Sequence, residues 1–317
     1  MLRERFSIHG LYGPSPAMQR VFAVIERIAR TCVPILVTGE TGTGKTAVAR
    51  AIHGEGVRAS GPFVVVNCAA QPEPVLESEL FGHVTGAFTG GTADRTGLFA
   101  EAHGGTLLLD EIGEMSPGMQ AKLLHVLESG QIRPVGSPCE RAVDVRVVAT
   151  THCDLRQRIA DGTFREALLY RLDLVTIELP ALRDRRDDIP GLIEHFVAAA
   201  RQRHPDSTIT GFSREAMTHL LEYAWPGNVR ELAHAVERCI LLAEGAEVTV
   251  ADLPPRIRAA ADDEALPFRG EVLAMRELQR HYARWALGQL GGHKTRTADK
   301  LGIDIKTLNK WLAPDDD

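Results

Sequence analysis

The eight residues from Gly39 to Thr46 constrain the fold of this 317-residue chain more than any other stretch. They read Gly-Glu-Thr-Gly-Thr-Gly-Lys-Thr and fit the pattern G-x-x-x-x-G-K-[ST], a match with a chance probability of roughly 1% in a chain of this length. An apolar, β-prone run (33–38) precedes them and a helical run (46–53) follows. A glycine-rich turn between a strand and a helix points backbone N–H groups at phosphate oxygens, at the positive end of the helix dipole. The stretch therefore predicts a nucleotide-binding loop.

The motif assigns different roles to the residues of this loop. The Lys45 ammonium is expected to reach the β- and γ-phosphates of ATP, and the Thr46 hydroxyl is expected to face Mg²⁺. The remaining residues are expected to enclose the phosphates, largely through backbone N–H groups: Gly39, Glu40, Thr41, Gly42, Thr43 and Gly44.

A second apolar run, 106–109, ends in two carboxylates, Asp110 and Glu111. At the carboxyl edge of a parallel sheet these side chains would face the same crevice as the loop. Asp110 would hold Mg²⁺ through its water shell, and Glu111 would orient and deprotonate the attacking water. An exposed acidic pair at a strand end is the alternative. Beside the loop, the pair favours ATP hydrolysis, because a site that only binds nucleotide does not need Glu111.

The composition sets wider limits on what the protein does. A net charge of −6 argues against nucleic-acid binding over the whole surface and leaves room for one local basic module. The five cysteines have no C-x-x-C spacing, so no zinc site or disulfide framework is predicted, and reduced thiols in the cytosol are expected. No apolar run reaches 18 residues and no signal pattern begins the chain, which predicts a cytoplasmic protein without a membrane partner.

Short apolar runs alternate with helical stretches up to about residue 179. The runs 63–67, 106–110, 143–150 and 175–179 are predicted strands, and this alternation implies an α/β layer with a mainly parallel sheet. After residue 180 only helical patterns follow, at 189–200, 213–223 and 228–243. The predicted organisation is an N-terminal linker remnant (1–10), an α/β subdomain (11–179), a helical subdomain (180–254), a linker (255–271) and a compact helical domain (272–317).

The stretch Glu79-Leu80-Phe81-Gly82-His83 and the loop Gly86-Ala87-Phe88-Thr89-Gly90-Gly91 extend the pattern. Together with the nucleotide motifs they resemble the AAA+ ATPases that activate σ54-dependent bacterial transcription, the enhancer-binding proteins. The resemblance, from about residue 11 to 312, implies a P-loop AAA+ three-layer sandwich with a parallel sheet, an all-α lid subdomain and a C-terminal Fis-type helix-turn-helix domain. In this family the loop contacts σ54, with the residues matching Phe88 and Thr89 as its key residues. A glycine-rich connection without a partner is the alternative.

Five further positions match the family residue by residue. Asn67 resembles the asparagine that holds the catalytic glutamate away until hydrolysis is licensed, and capping of a strand end is its alternative role. Thr151 resembles the sensor of the γ-phosphate, or else is a buried structural threonine. Arg165 and Arg171 resemble arginines that reach into the neighbouring subunit's site, where a guanidinium neutralises charge on the γ-phosphoryl group. Either could instead form a surface ion pair. Arg230, in the stretch Trp-Pro-Gly-Asn-Val-Arg-Glu-Leu, resembles the second sensor.

The C-terminal residues resemble a Fis-type helix-turn-helix. Gly302 is expected to form the turn between two helices, with a small apolar core around it. The second helix would display Lys306, Thr307, Asn309 and Lys310 towards a major groove, and Lys294, Arg296 and Lys300 would contact phosphates. A helical hairpin used only for oligomerisation is the alternative.

The sequence departs from the family at four positions. Gly91 replaces an alanine, which should loosen the loop backbone, and Thr46 stands where many members have glutamate. His152 replaces an asparagine that often follows the sensor threonine, and Ala167 replaces an aspartate. A sensory domain often precedes the ATPase in this family. Here the alternatives are a natural activator without that domain, regulated by another protein in trans, and a truncated chain.

The resemblance implies a ring oligomer, most often a hexamer, that binds upstream enhancer DNA and uses ATP hydrolysis to remodel the closed complex of σ54-RNA polymerase. One rival function is a DNA-binding regulator whose AAA+ domain no longer engages σ54. Another is a AAA+ remodeller of a different protein client. Salt-dependent DNA binding discriminates between these, because phosphate contacts predict a steep loss of affinity with ionic strength.

Overall fold

The computed structural model describes residues 7–87, 93–204, 207–263 and 275–312. The strands in these ranges are β1 (Ser7–Ile8), β2 (Leu11–Tyr12), β3 (Ile35–Thr38), β4 (Phe63–Asn67), β5 (Gly82–His83), β6 (Arg95–Thr96), β7 (Thr106–Asp110), β8 (Gln131–Ile132), β9 (Arg141–Ala142), β10 (Arg146–Thr151), β11 (Thr176–Glu178), β12 (Gly211–Phe212) and β13 (Glu247–Val248). The helices are α1 (Pro16–Ala29), α2 (Lys45–Gly54), α3 (Glu73–Phe81), α4 (Leu98–Glu101), α5 (Pro117–Ser129), α6 (Leu155–Ala160), α7 (Glu166–Leu172), α8 (Ile189–Arg203), α9 (Arg214–Glu222), α10 (Asn228–Leu242), α11 (Pro255–Asp263), α12 (Met275–Gln289), α13 (Lys294–Leu301) and α14 (Ile305–Leu312).

A five-stranded parallel sheet forms the centre of the first part of the chain, with the strand order β11-β3-β10-β7-β4. The parallel α/β sheet predicted from the sequence is confirmed. β10 begins at Arg146 rather than at residue 143, because the Val143 amide bonds to the Gly130 carbonyl after α5 instead of joining the sheet. All five carboxyl ends meet at one edge, where Asn67 lies opposite Asp110 and Thr151 lies opposite Thr38.

The central strands are apolar because both faces of the sheet are covered. On one face Ile35, Val37 and Val148 pack among the buried side chains of α1 and α2. On the other, Leu107 and Leu109 pack against helices that include α3, α5 and α7. Strands buried on both faces read as continuous hydrophobic runs rather than alternating ones. The result is the three-layer sandwich expected for the AAA+ fold.

The region after the sheet is helical, with α8 and α10 packed together. Trp225 is fully buried before α10, and its indole N–H donates to the Leu220 carbonyl over 2.8 Å. A two-residue parallel pairing of β12 and β13 also occurs. No strand was predicted here, since two residues are too few to show a strand period.

The chain divides into two compact units after Pro254. The segment 255–271, predicted as a linker, begins with the helix α11, consistent with Pro255 at its first position and an Arg-Ile-Arg-Ala-Ala sequence of good helix formers. Further on, α12, α13 and α14 enclose a small core of Ala283, Ala298 and Leu308. Gly302 has a φ of +67° and ends α13, as expected for the turn between the helices. Over the described ranges, no helix combines the length and apolar character needed to span a bilayer.

Candidate active site

The glycine-rich loop connects β3 to α2, as the motif predicts. Gly44 caps the helix with a φ of +108°, and Lys45 is its first residue. The Lys45 side chain is only 6% exposed, and its Nζ donates to the carbonyls of Gly39 over 2.9 Å and Glu40 over 3.3 Å. The ammonium is therefore folded back over the loop, at the helix N-terminus where backbone N–H groups and the helix dipole favour phosphate.

The predicted carboxylates lie at the end of β7, beside this loop. Glu111 adopts a φ of +57°, a left-handed conformation that is uncommon outside glycine. Its Oε1 lies 3.5 Å from Lys45 Nζ. A pocket of about 320 Å³ brings the loop, the carboxylates and the lid together, and its lining residues are Thr41, Gly42, Gly44, Lys45, Thr46, Ala47, Asp110, Glu111, Phe196, Val229, Arg230 and Ala233.

Thr150 contacts both acidic residues, a role that the sequence analysis did not assign. Its hydroxyl donates to Asp110 Oδ1 and accepts from the Glu111 amide over 3.2 Å. The neighbouring Thr151, the predicted sensor, is also fully buried, and its Oγ1 accepts from the Cys153 amide over 3.1 Å. The two threonines are adjacent on a strand, so their side chains point to opposite faces. The register of β10 against β7 decides which of them meets Asp110.

His152 holds the Glu111 carboxylate. Its backbone N–H donates to Glu111 Oε2 over 3.2 Å, and its ring Nδ1 lies 2.6 Å from the same oxygen. Burial of Glu111 raises its pKa, but the hydrogen bonds from His152 and the charge of Lys45 together outweigh it, so the pKa lies below its ordinary value. Glu111 is thus an ionised carboxylate with both oxygens engaged. The sequence marked His152 only as a departure from the family.

Asn67 ends β4 next to the acidic residues, opposite Asp110 in the sheet. Its Oδ1 accepts a hydrogen bond from the Ala69 amide over 2.8 Å. In this arrangement Asn67 shapes the turn after the strand, while the side-chain contacts of Glu111 described above are with Lys45 and His152. The switching role implied by the resemblance stays a prediction.

Glu40, in the glycine-rich loop, forms hydrogen bonds with side chains of the helical lid subdomain (180–254). Both terminal N–H groups of Arg183 donate hydrogen bonds to the Glu40 carboxylate, and Asn228 Nδ2 donates to the same carboxylate over 3.0 Å. The hydrogen bonds from Arg183 and Asn228 lower the pKa of Glu40 to about 2. Gly42 (φ +81°) lies against the lid backbone, where an added Cβ would come within 2.3 Å of the Gly227 carbonyl. Bidentate pairing and close backbone approach thus couple loop position to lid position.

Arg230, the predicted second sensor, lines the pocket from α10. Its backbone N–H donates to the Gly42 carbonyl over 3.2 Å, while its side chain is exposed. Another lid-side arginine, Arg185, is only 3% exposed and donates to the Thr43 carbonyl over 2.7 Å. Sequence reasoning missed Arg183, Arg185 and Asn228, because each contacts a loop more than 140 residues away in the chain.

Arg165 is the N-cap residue directly before α7, and Arg171 lies in the last turn of that helix. Both are exposed, and neither belongs to the residues that line the described pocket. Arg165 Nε donates to the Pro117 carbonyl over 3.2 Å, and Arg171 Nε donates to Glu128 over 3.3 Å. The two guanidinium groups therefore face solvent on the surface of their own chain.

The predicted σ54 loop lies in the chain between two short paired strands. Strand β5 pairs with β6, and the Asp94 carboxylate accepts from both the amide (2.7 Å) and the hydroxyl (2.8 Å) of Thr85. Gly86 has a φ of +82° with open space around it, and Ala87 lies against Gly136. Phe88, Thr89, Gly90 and Gly91 lie outside the described residues.

The predicted DNA-contacting residues lie on α13 and α14. Lys306 and Lys310 are exposed on α14, and Thr307 is half-buried with its hydroxyl bonded to Asp304, just before the helix. Lys294 Nζ donates to Asn309 Oδ1 over 3.0 Å, which joins the two helices. The remaining two predicted residues, Arg296 and Lys300, are exposed on α13.

Comparison with known proteins gives consistent matches. Residues 11–178 match the sigma-54 interaction domain, and residues 183–267 match the AAA+ ATPase lid domain. The transcriptional regulatory protein ZraR of Salmonella typhimurium is 44% identical over 299 residues, covering 94% of this chain and 67% of ZraR. The regulator NtrC of the same organism is 41% identical over 326 residues, covering 95% of this chain and 69% of NtrC.

Solved structures agree with these matches. NtrX from Brucella abortus in complex with ADP superposes with a TM-score of 0.74 at 36% identity, covering 95% of this chain and 69% of NtrX. NtrX in complex with ATP gives a TM-score of 0.73 at 36% identity, with coverage of 95% and 68%. Hsp104, at 18% identity and a TM-score of 0.52, covers 71% of this chain and 44% of its own and shares the fold alone.

Proposed function

The chain belongs to the sigma-54 activator family of AAA+ transcriptional regulators, and we propose that it hydrolyses Mg-ATP in a ring to remodel σ54-RNA polymerase. The observation that carries this proposal is the convergence of Lys45, Asp110 and Glu111 on one pocket beneath the lid. Similarity to NtrX, which binds ADP and ATP, supports nucleotide as the occupant. Since the polymerase and the DNA it transcribes are in the bacterial cytoplasm, the proposal places the protein there.

Thr46 and Asp110 fit a magnesium ion. Both line the pocket, and a hydroxyl and a carboxylate are oxygen donors of the kind that Mg²⁺ prefers beside substrate phosphates. Bound there, the ion would neutralise charge on the phosphate oxygens. Thr150 fixes the orientation of Asp110 by hydrogen bonding, which leaves the other carboxylate oxygen available.

Glu111 is the proposed base for the attacking water. The ionised carboxylate can accept a proton, although one of its oxygens lies beside Lys45 and the other is bonded to His152. We expect Lys45 to turn to the phosphates when ATP binds, which would release Oε1. His152 would keep hold of Oε2 and so orient the carboxylate. This arrangement links hydrolysis to occupancy of the loop.

Assembly into a ring, proposed to be a hexamer, would complete the site. Arg165 and Arg171 face outwards, where they can approach the nucleotide of a neighbouring subunit. Two large apolar side chains beside them are also exposed, Tyr170 at 74% and Leu174 at 63%. Exposed apolar surface rimmed by charge is typical of a protein interface. These features support trans-acting arginines on α7.

The σ54 contact is assigned to the loop 86–91 and rests on the family match. We expect wild-type protein with ADP and a fluoroaluminate transition-state analogue to form a stable complex with purified σ54. Thr89→Ala should abolish that complex, measured by gel filtration, and leave ATP turnover intact, because the motif that predicts nucleotide binding does not include this loop and its described residues, Gly86 and Ala87, do not line the pocket. Thr218→Ala, which removes a hydroxyl on α9, is the matched control and should bind like wild type.

An actively hydrolysing wild-type protein that captures no σ54 would contradict this proposal. The protein would then be better described as a DNA-binding regulator whose AAA+ domain no longer engages σ54. The substitution of alanine by Gly91 in the loop is the observation that favours this second function.

The C-terminal helices are proposed to bind upstream DNA through α14. We expect Lys300→Ala, which removes one of the proposed phosphate contacts, to weaken binding of the full chain to a random-sequence duplex and to reduce the slope of log affinity against log salt by about 1. Fluorescence anisotropy across a salt series measures both quantities. Lys122→Ala, an exposed lysine on α5, is the control, and equal slopes for the two variants would contradict the assignment.

A further inference from the structure

A second cluster of metal-ligating side chains lies directly beside the catalytic carboxylate. Glu114, His152 and Cys153 each offer one ligand atom, and these three atoms lie within 4.8 Å of one another. Cys153 Sγ is 3.3 Å from Glu114 Oε1 and 3.6 Å from His152 Nε2. Thiolate, imidazole and carboxylate are the three protein ligands of Zn²⁺.

The orientation of the His152 ring also favours a metal site here. Its Nδ1 faces Glu111 Oε2 at 2.6 Å, which leaves Nε2 directed to the cluster. Metal-binding histidines usually donate their other ring N–H to a carboxylate, which fixes the tautomer and the ring. Glu111 and His152 already have this arrangement. The catalytic carboxylate would therefore be the outer partner of the bound metal.

The guanidinium group of Arg158 lies against this cluster. Arg158 Nη2 lies 2.6 Å from Glu114 Oε1 and 3.4 Å from Cys153 Sγ. The Arg158 side chain is about one-third exposed, so it can move into solvent and leave the ligands to a metal ion. His152 and Cys153 also line an open pocket of about 630 Å³, which gives a cation a path to them.

We propose that Glu114, His152 and Cys153 bind a thiophilic divalent cation such as Zn²⁺, and that its binding inhibits ATP hydrolysis, because the metal's charge on the His152 ring weakens Glu111 as a base. The Cys153 thiol loses its proton to solvent as the metal–sulfur bond forms. The metal on Nε2 keeps the ring proton on Nδ1, where it donates to Glu111 Oε2. Together with a water molecule, these three side chains would supply the four ligands that Zn²⁺ usually takes. The inhibitory consequence, but not the metal site itself, rests on the proposed ATPase function.

The site is tested first without reference to activity. Co²⁺ added to the nucleotide-free full chain should produce the near-ultraviolet absorption of a cobalt–thiolate bond. Cys153→Ser should remove that band and weaken Co²⁺ affinity at least about tenfold, as expected when a ligand is lost. Cys139→Ser, which changes an exposed cysteine outside the cluster, is the matched control and should keep the band. Absence of the band in wild type, or its persistence in Cys153→Ser, would overturn the proposal.

The consequence is tested by titrating Zn²⁺ into the Mg-ATPase reaction. Turnover of wild type and Cys139→Ser should fall, whereas the ratio of turnover with and without Zn²⁺ should stay near one in Cys153→Ser. Equal inhibition of all three proteins would reject the regulatory consequence. A chain that shows the cobalt band but no ATPase activity would contradict the proposed function and still support the metal site. Failure of the proposed function and failure of the metal site are therefore distinguishable.

Discussion

Replacing Glu111 with glutamine is expected to lower ATP turnover by about 10³-fold, the middle of the range for loss of a positioned general base. The amide keeps the size of the carboxylate, and its oxygen can still accept from His152, but it cannot accept the water's proton. Nucleotide affinity should be retained or tightened, because a negative charge near the γ-phosphate is removed. Phosphate release measures turnover, and equilibrium titration with a fluorescent ATP analogue measures binding.

Glu55→Gln is a suitable control for this substitution. Glu55 follows the opposite end of the same helix from Lys45 and forms an exposed pair with His9, so its loss should leave turnover unchanged. Turnover by Glu111→Gln within tenfold of wild type would reject Glu111 as the base. The water would then have to be activated by another group.

The placement of the loop and of the two carboxylates was predictable because the motifs that contain them are local. The glycine-rich loop specifies its own conformation, and Asp110 and Glu111 end an apolar run that can only be a buried strand. Parallel pairing then brings both to one sheet edge, as predicted. The same reasoning could not choose between Thr150 and Thr151, because that choice depends on the register between β10 and β7.

Contacts between distant side chains were not predictable in this way. The bidentate pair of Glu40 and Arg183 joins residues in different subdomains, and neither has a motif that names the other. Cysteine spacing did not reveal the cluster of Glu114, His152 and Cys153, because its members come from separate parts of the chain. Glu114 lies in a turn after β7, whereas His152 and Cys153 follow β10, so only the folded sheet assembles them.

Arg165→Ala is expected to lower turnover by about 10³-fold or more, the effect of removing an arginine that stabilises transferred-phosphoryl charge. The chain should still bind ATP, because Arg165 lies outside the residues that line its own described pocket. Arg201→Ala, an exposed arginine on α8, is the matched control and should turn over like wild type. Phosphate release by the purified variants gives the comparison.

A stronger test asks whether Arg165 acts on the nucleotide of a neighbouring subunit. Two variants that are inactive alone should then regain ATP turnover when they are mixed. Lys45→Ala removes nucleotide binding but keeps Arg165, while Arg165→Ala keeps the loop. In rings assembled from an equal mixture, about one interface in four pairs an intact loop with an intact arginine, since head-to-tail contacts combine different surfaces of neighbours. Turnover should therefore recover to roughly a quarter of wild type when the subunits are mixed before assembly. A mixed ring without activity would mean that Arg165 does not act on a neighbouring subunit's nucleotide.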